Sequence, residues 1–580
     1  MAVEKQQSAK GRRSRDPLKS WRHLLVLASV FLASTLISAR LVELHVLDRE
    51  FLRNQGEERT LRTEPIDANR GVIRDRHGEP LAVSTPVATL WANPSTLLPD
   101  AGGVTRLAKL IDRDEGRLRR RLAKNSDRQF LYLRRKVQPS LAERVLNLDI
   151  AGVHSRREYR RYYPAGEVAS HVLGFTDIDE NGQEGLELSF DQWLSGEKGS
   201  KRVLRDNRGR SVTDIGLTKG ARPGNDLTLS LDLRLQYLAY RELKAAVDAH
   251  DARGGSIVML DARNGQVLAM ANQPSFNPND RDQFDPTKLR NRAITDLFEP
   301  GSTIKPFSAA AALESGEFSP GTRVNTSPGY RRMGDYTIRD HHDYGKLSLS
   351  EIVTSSSNVG ISKVATQLSG ERLQNLFFRV GFGQSTGIGF PGEAVGILPA
   401  NVNWRPVEVA ALSYGYGMNV TALQLAQAYM VLASGGIRYP VSLINSSQDP
   451  EGRRVMSRKT AAQVRSMLIS VIEQGTGSRA RSDIYELAGK TGTVHLVGTQ
   501  GYEKDQYKSL FAGMGPAHDP RIVTVVTVDA PSKSEYYGGE VAAPVFGRVM
   551  SDALRLLNVG PSEGSDAVAT PTGEDGGQGL

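Results

Sequence analysis

The sequence predicts an α/β (α+β) protein of more than one domain, and three observations carry that reading. Strand-like segments stand at both ends of residues 221–558, with helical segments between them, so that one sheet is assembled from distant parts of the chain. A length of 580 residues exceeds what one core usually holds, while 39% hydrophobic and 24% charged residues are ordinary for globular protein. One long apolar run lies near the N-terminus and none follows it.

The formal net charge is +9, and much of the excess is local: Lys5, Lys10, Arg12, Arg13, Arg15, Lys19 and Arg22 face only Glu4 and Asp16 in residues 1–22. Residues 24–39 carry no charge, slightly short of the ~20 residues a spanning helix needs. Apolar positions continue past Arg40, which can snorkel to the headgroups. We therefore expect a basic cytoplasmic tail at 1–22, a membrane anchor at 23–45 and an exported remainder. The rival is a cleaved signal peptide, but Ile37-Ser38-Ala39 is a poor small-x-small site and the apolar pattern runs through it. The chain has no cysteine, which removes disulfides, thiol catalysis and cysteine metal sites.

Residues 46–220 read as a non-catalytic domain. Residues 70–78 look like a strand entering a turn, and residues 106–124 like one basic helical stretch. No aromatic residues interleave with its arginines, so a solvated helix face fits better than a nucleic-acid site. Tyr162-Tyr163-Pro164-Ala165-Gly166, His171, Gly174-Phe175 and Gly185-Leu186-Glu187 form a loop-rich block without a catalytic constellation.

From residue 221 the pattern changes. Residues 226–231 alternate like a strand, and Asp232 caps a helix over 233–247. Residues 256–260 and 266–270 read as a hairpin turned at Arg263-Asn264-Gly265. Residues 522–528 are a buried strand and 541–557 a terminal helix. The small, polar, acidic residues 559–580 read as disordered.

The candidate chemistry centres on Glu299-Pro300-Gly301-Ser302-Thr303-Ile304-Lys305-Pro306-Phe307. Pro300-Gly301 signals a turn and the alanine-rich residues 307–313 a buried helix, so Ser302 falls at or near a helix N-terminus. Ser302 and Lys305 share one face. A serine hydroxyl needs a base, and a lysine serves once burial or a second cation lowers its pKa. By itself the pair also fits a helix start with a solvated lysine. Two later motifs change the balance: Ser356-Ser357-Asn358, and Lys490-Thr491-Gly492-Thr493 in strand chemistry that suits a sheet edge. There Gly492 would let a ligand backbone approach closely, and Lys490 beside Lys305 would keep Lys305 neutral.

Three other patterns carry less. Gly383-Gln384-Ser385-Thr386-Gly387 follows a helical segment, whereas a nucleophile elbow needs strand, turn, helix. Gly489-Lys490-Thr491 resembles a P-loop ending with Ile484 where the first glycine belongs. Asp340-His341-His342-Asp343 lacks a spaced ligand pair and reads as a loop cluster.

Ser-x-x-Lys, Ser-x-Asn and Lys-Thr-Gly in this order resemble the set of penicillin-binding proteins and serine β-lactamases. From the anchor to Asn558 the chain resembles a class B penicillin-binding protein, most like the FtsI-type septal peptidoglycan D,D-transpeptidases. Arg70-Gly71, Asp75-Arg76-His77-Gly78, Tyr163-Pro164, Gly166, His171, Gly174-Phe175 and Gly185-Leu186-Glu187 resemble that family's pedestal motifs, and the block Asn207-Arg208-Gly209-Arg210 favours the septal branch. The resemblance implies a five-stranded sheet with helices on both faces at 221–558, an elongated mixed α/β pedestal of dimerisation type at 46–220, and one N-terminal transmembrane helix.

It also implies a mechanism. Ser302 attacks the D-Ala–D-Ala carbonyl of a stem peptide with Lys305 as base, and the backbone N–H groups of Ser302 and Thr493 form the oxyanion hole. Ser356 and Lys490 help D-Ala leave, and a neighbouring stem's amine resolves the acyl-enzyme. Asn358, Thr491, Gly492 and Thr493 bind substrate, and Tyr507, Tyr536 and Tyr537 form an aromatic wall. Val494-His495 departs from the Ala-Arg frequent in relatives. β-lactams acylate Ser302. No metal or organic cofactor is implied. The implied partners are an FtsW-type glycosyltransferase and other divisome proteins at the inner membrane, with the catalytic domain periplasmic. An elongation-type enzyme, a β-lactamase or penicillin sensor, and an inactive division scaffold are the competing readings.

Overall fold

A five-stranded antiparallel sheet organises the C-terminal half. Its order is Val267–Gln273, Gly254–Asp261, Ile522–Asp529, Gly501–Gly515, Ala488–Gly498. The computed structural model describes residues 17–50, 61–205, 211–281, 284–401, 403–446, 448, 450–498 and 501–562. The basic cluster from Lys5 to Arg15, the block Asn207-Arg208-Gly209-Arg210 and the tail after Ser562 lie outside the described residues.

Both faces of this sheet are covered, which is why its central strands are apolar at nearly every position. Val258, Leu260, Val523, Val525, Leu510 and Ala512 point into one core, and Ile257, Met259, Val526, Val528 and Phe511 into the other. Helices Leu233–Ala249 and Gly538–Leu556 pack on the second face. Lys305–Glu314 and Ala422–Ala433 pack on the first. Every residue of Ala422–Ala433 is buried, and its two glutamines, Gln424 and Gln427, donate to backbone carbonyls of Gln384, Val395, Thr386 and Tyr439. The hairpin turns at Gly265 (φ 76°), where a Cβ would lie 2.4 Å from the Pro440 carbonyl oxygen. The expected strand at 226–231 is pairwise regular only over Leu227–Thr228, which runs parallel to Ile73–Arg74 and so joins the two halves. Asp232 caps the next helix through the Arg234 N–H.

Trp21–Leu47 is long and apolar enough to cross a membrane, the one such helix among the described residues. Residues 106–124 are not one helix. Helices Ala101–Leu110 and Glu115–Lys124 are separated by Asp112 in a left-handed conformation (φ 53°) and by Asp114, whose carboxylate caps the second through the Arg117 N–H at 2.7 Å. The first residues of the segment expected to be disordered are held in place: the Val559 carbonyl accepts from the Tyr485 hydroxyl (2.9 Å), and the Ser562 N–H donates to Ile484 (3.1 Å).

The pedestal motifs meet in a buried ion cluster. Glu187, fully buried, accepts from Arg70 and from Arg161, each at 2.6 Å. Arg70 also pairs with Asp191 at 2.7 Å, and Arg161 donates to the Gly71 carbonyl at 2.7 Å. Gly71 is obligatory, since a Cβ there would lie 1.9 Å from the Asn225 carbonyl oxygen. Asp75 then reaches the C-terminal half, accepting from the Leu233 N–H at 3.2 Å, while the Arg76 N–H donates to Leu231 at 2.9 Å. Replacing Glu187 by Ala leaves the buried Arg161 guanidinium without its carboxylate and Arg70 with Asp191 alone, and should cost about 3–5 kcal/mol. Thermal unfolding checks this, and an unchanged melting temperature contradicts it.

Candidate active site

Ser302 sits in a short 3-10 turn, Gly301–Ile304, that runs into helix Lys305–Glu314 with Pro306 in its first turn. Gly301 takes φ 52°, and a Cβ on it would lie 2.4 Å from the Val494 Cγ1. The turn is held on several sides. The Gly301 N–H donates to Gly415 (3.2 Å), the buried Tyr429 hydroxyl to the Thr303 carbonyl (2.8 Å), and the Thr303 hydroxyl to Pro300 (2.6 Å).

Lys305 is fully buried, and its amine meets the Ser356 carbonyl, the Ser356 hydroxyl at 3.1 Å and the Asn358 Oδ1 at 2.7 Å. Ser356 lies in the left-handed region (φ 62°), the strained conformation from which both its carbonyl and its hydroxyl reach Lys305. Burial holds the Lys305 amine well below the usual lysine range. The Lys490 charge pushes the same way and the Asp340 carboxylate opposes. Burial brings Lys490 down to about 7. Its amine lies 3.3 Å from the Thr491 hydroxyl and 3.5 Å from that of Thr476. The site therefore brings together Ser302, Lys305, Ser356, Asn358 and Lys490, and it can supply a neutral amine behind a helix-end hydroxyl.

Asp340 is the residue that sequence reasoning missed. Its carboxylate accepts from the Ser357 hydroxyl, the Asn358 N–H (2.6 Å) and the Val359 N–H (3.0 Å), at the start of helix Asn358–Ala365. The Asn358 Nδ2 donates to the Arg339 carbonyl at 3.1 Å, so the protein itself holds both ends of that amide. The Asp340-His341-His342-Asp343 cluster thus orders the second motif, and no group able to hold a metal ion occurs among the described residues. Ser385 donates to Glu393 at 2.6 Å in a loop after helix Gly370–Val380, with no strand before it.

Lys490-Thr491-Gly492-Thr493 lies on the sheet's edge strand, Ala488–Gly498. Period-two alternation explains the motif. Lys490, Gly492 and Val494 face the Ser302 turn. Gly492 needs correction: the space its side chain would fill belongs to the Thr303 Cγ2, 2.9 Å from an added Cβ, so it admits the protein's own turn, and not a ligand backbone. Thr491 and Thr493 point the other way. Their hydroxyls meet Thr476 (2.8 Å) and accept the Gly538 N–H (2.9 Å), which leaves the strand's outer backbone edge as the surface a ligand can pair with.

The three expected tyrosines stack, with ring centroids 4.3 Å apart for Tyr507–Tyr536 and 4.4 Å for Tyr536–Tyr537. The row is longer than the sequence suggested. It runs from Tyr507 to His495 (4.5 Å), Tyr502 (6.1 Å) and Tyr416 (6.5 Å), and beyond Tyr537 to His341 (6.2 Å).

Residues 255–551 match the family model "Penicillin binding protein transpeptidase domain", and residues 65–229 match "Penicillin-binding Protein dimerisation domain". The chain is 43% identical over 552 residues to the probable peptidoglycan D,D-transpeptidase PbpC of Pseudomonas aeruginosa, covering 95% of this chain and 98% of the relative. It is 39% identical over 576 residues to the peptidoglycan D,D-transpeptidase FtsI of Escherichia coli, covering 98% and 97%. This chain belongs to the class B penicillin-binding proteins. The crystal structure of penicillin-binding protein 3 from Mycobacterium tuberculosis complexed with aztreonam is similar with a TM-score of 0.67 and 28% identity over 86% of this chain and 98% of that one.

In this penicillin-binding protein the departure at Val494-His495 has a structural half. Val494, 2% exposed, seats the Gly301 turn. The His495 ring joins the aromatic row, with Nδ1 buried and unbonded among the described residues.

Two predictions follow from the amines and from Asp340. Between about pH 7 and the ordinary lysine pKa near 10.4, the folded protein binds fewer protons at Lys490 than the unfolded chain, so stability should rise with pH across that window. Comparing melting temperatures of the parent and Lys490→Met over that range should show a shallower rise in the variant. Asp340→Ala should slow acylation by a penicillin on the order of 10²-fold through misplacement of Asn358 and Ser356, with partial recovery in Asp340→Asn, measured by stopped-flow.

Proposed function

We propose that this class B penicillin-binding protein is a peptidoglycan D,D-transpeptidase that cross-links stem peptides at the division septum through an acyl-enzyme on Ser302. The observation that carries the reading is the buried Lys305 amine, held between Ser356 and Asn358 behind the Ser302 turn and opposite Lys490. The septal role rests on 39% identity to FtsI over nearly the whole chain.

The Ser302 hydroxyl attacks the carbonyl carbon between the two terminal D-Ala residues and gives its proton to neutral Lys305. Backbone N–H groups of Ser302 and Thr493 stabilise the oxyanion. The C–N bond breaks, and D-Ala leaves with a proton relayed from Lys305 through Ser356. Once it holds the Ser302 proton, Lys305 is an ammonium with three N–H groups for the three facing oxygens, so it donates to the Ser356 hydroxyl, which passes its own proton to the leaving nitrogen. Lys490 supplies positive charge opposite. Asn358 and the outer edge of Thr491 to Thr493 orient the donor peptide beside Tyr507, Tyr536 and Tyr537. A β-lactam takes the same route and leaves its acyl group on Ser302.

The chain divides into an anchor at 23–45, a pedestal at 46–220 and the catalytic domain at 221–558. Basic residues before the anchor support a cytoplasmic N-terminus and a periplasmic catalytic domain. An FtsW-type glycosyltransferase and other divisome proteins would dock on the anchor and pedestal.

The test is a fluorescent penicillin followed by peptide mapping. The label should lie on Ser302 in a one-to-one ratio and be absent from Ser302→Ala, and Lys305→Ala should slow labelling on the order of 10³-fold. A label on another side chain overturns the reading, and rapid turnover of the drug points to a β-lactamase.

A further inference from the structure

Before Ser302 in the chain, as Lys305 is after it, stands a second charged group that the acylation step does not use. Glu299 is 8% exposed, three residues before the nucleophile. Its Oε1 accepts the Gly417 N–H at 3.0 Å and its Oε2 the Tyr502 hydroxyl at 2.9 Å. Among the described residues no cation pairs with it. A buried carboxylate left without a counter-charge is costly, and two hydrogen bonds occupy only half of its lone-pair sites.

Tyrosines surround it. The Tyr416 ring lies 5.5 Å from Tyr414 and 6.5 Å from Tyr502. Tyr336 hydrogen-bonds with Tyr414, and Tyr336 and Tyr502 are half-exposed, so the group opens to solvent. The loop carrying Tyr414 and Tyr416 rests on the nucleophile turn, because Gly415 accepts the Gly301 N–H at 3.2 Å. Burial first, then the Glu299 charge, push the Tyr416 hydroxyl up to about 12, so it stays a neutral donor.

We propose that Glu299 with Tyr336, Tyr414, Tyr416 and Tyr502 is the docking point of the acceptor, which enters as a primary ammonium. A carboxylate among aromatic faces is the chemistry that holds an alkylammonium. This inference rests on the transpeptidase reading and names the group that delivers the second substrate. The ammonium gives one proton to the Glu299 carboxylate, which passes it to solvent. The freed nitrogen lone pair attacks the acyl carbon and a C–N bond forms. The bond from that carbon to the Ser302 oxygen breaks, and the oxygen keeps the electron pair and takes a second proton from nitrogen. The products are the amide, the free serine and one proton. Glu299 also positions the loop through Gly417, so the test must separate the two roles.

The experiment uses the full-length protein in detergent with a D-alanyl thioester donor. It measures the ratio of aminolysis to hydrolysis of the acyl-enzyme, which cancels any change in acylation. One acceptor is a synthetic stem tripeptide with a free side-chain amine, charged at neutral pH, and the other is methoxyamine, uncharged there. For Glu299→Gln the ratio with the tripeptide should fall at least tenfold while that with methoxyamine stays within twofold, and Tyr502→Phe should fall less. Equal losses with both acceptors, or no loss with either, overturn the inference, as does an unaltered protein that forms the acyl-enzyme but shows no ammonium-dependent transfer. Failure of the unaltered protein to form an acyl-enzyme on Ser302 instead overturns the transpeptidase reading itself.

Discussion

The site depends on keeping two amines out of water in one place. Lys305 and Lys490 are both fully buried, and neither has a carboxylate in direct contact among the described residues. Two ammonium groups so placed repel each other and have lost their hydration, so the protonated forms are penalised together. The result is a lysine amine biased toward its neutral form, as the proposed role of Lys305 requires. Stability is lowered for the sake of the site, as is common where function needs a perturbed group. The residues around them are arranged to bear that penalty: oxygens of Ser356 and Asn358 solvate Lys305, and the hydroxyls of Thr491 and Thr476 stand near Lys490.

Bringing the amines together requires a helix end and a strand edge to approach more closely than ordinary side chains allow. Glycine makes that approach. Gly301 meets Val494, Gly492 meets Thr303, and Gly415 has room only for the backbone of Gly301. Each is a packing glycine, and the alternation of the edge strand sets which residues face the turn. The same alternation turns Thr491 and Thr493 toward Thr476 and Gly538, which ties the strand to the start of the terminal helix. The third motif is therefore a lysine, a gap and two struts, with its outer backbone left open.

What the sequence disclosed was local. The Ser302 turn, the Lys490 strand, the hairpin at Gly265 and the terminal helix each follow from residues within a few positions of one another, and period or turn chemistry is enough to read them. What it hid was long-range. Asp340 acts on Asn358 across a loop, Glu187 draws Arg70 and Arg161 from distant segments, and Tyr416, Tyr502 and His495 join the aromatic row from separate elements. No local pattern distinguishes an aspartate that caps a remote helix from one in a solvated loop, so the Asp340 cluster read as a loop cluster and its capping role went unseen. The 106–124 stretch misled for the opposite reason. Its basic residues are uniform, and the break is set by two aspartates of which only Asp114 is a recognisable cap.

In the proposed reading Ser302 has a proton-accepting amine on one side in the chain and a proton-accepting carboxylate on the other. Lys305 follows Ser302 by three residues and Glu299 precedes it by three. A transpeptidase handles two protons of opposite origin: one leaves the serine when the donor arrives, and another leaves the acceptor before it can attack. A single group serving both would have to pass on the first proton before it could take the second. Separate groups remove that constraint, provided they do not neutralise each other. Here the 3-10 turn sets them apart. Lys305 is drawn toward Ser356 and Asn358, and Glu299 toward Gly417 and Tyr502. The turn at Gly301 thus presents the hydroxyl and also holds a buried amine and a buried carboxylate, close in sequence, on separate partners, so that they do not form an ion pair that would disable both.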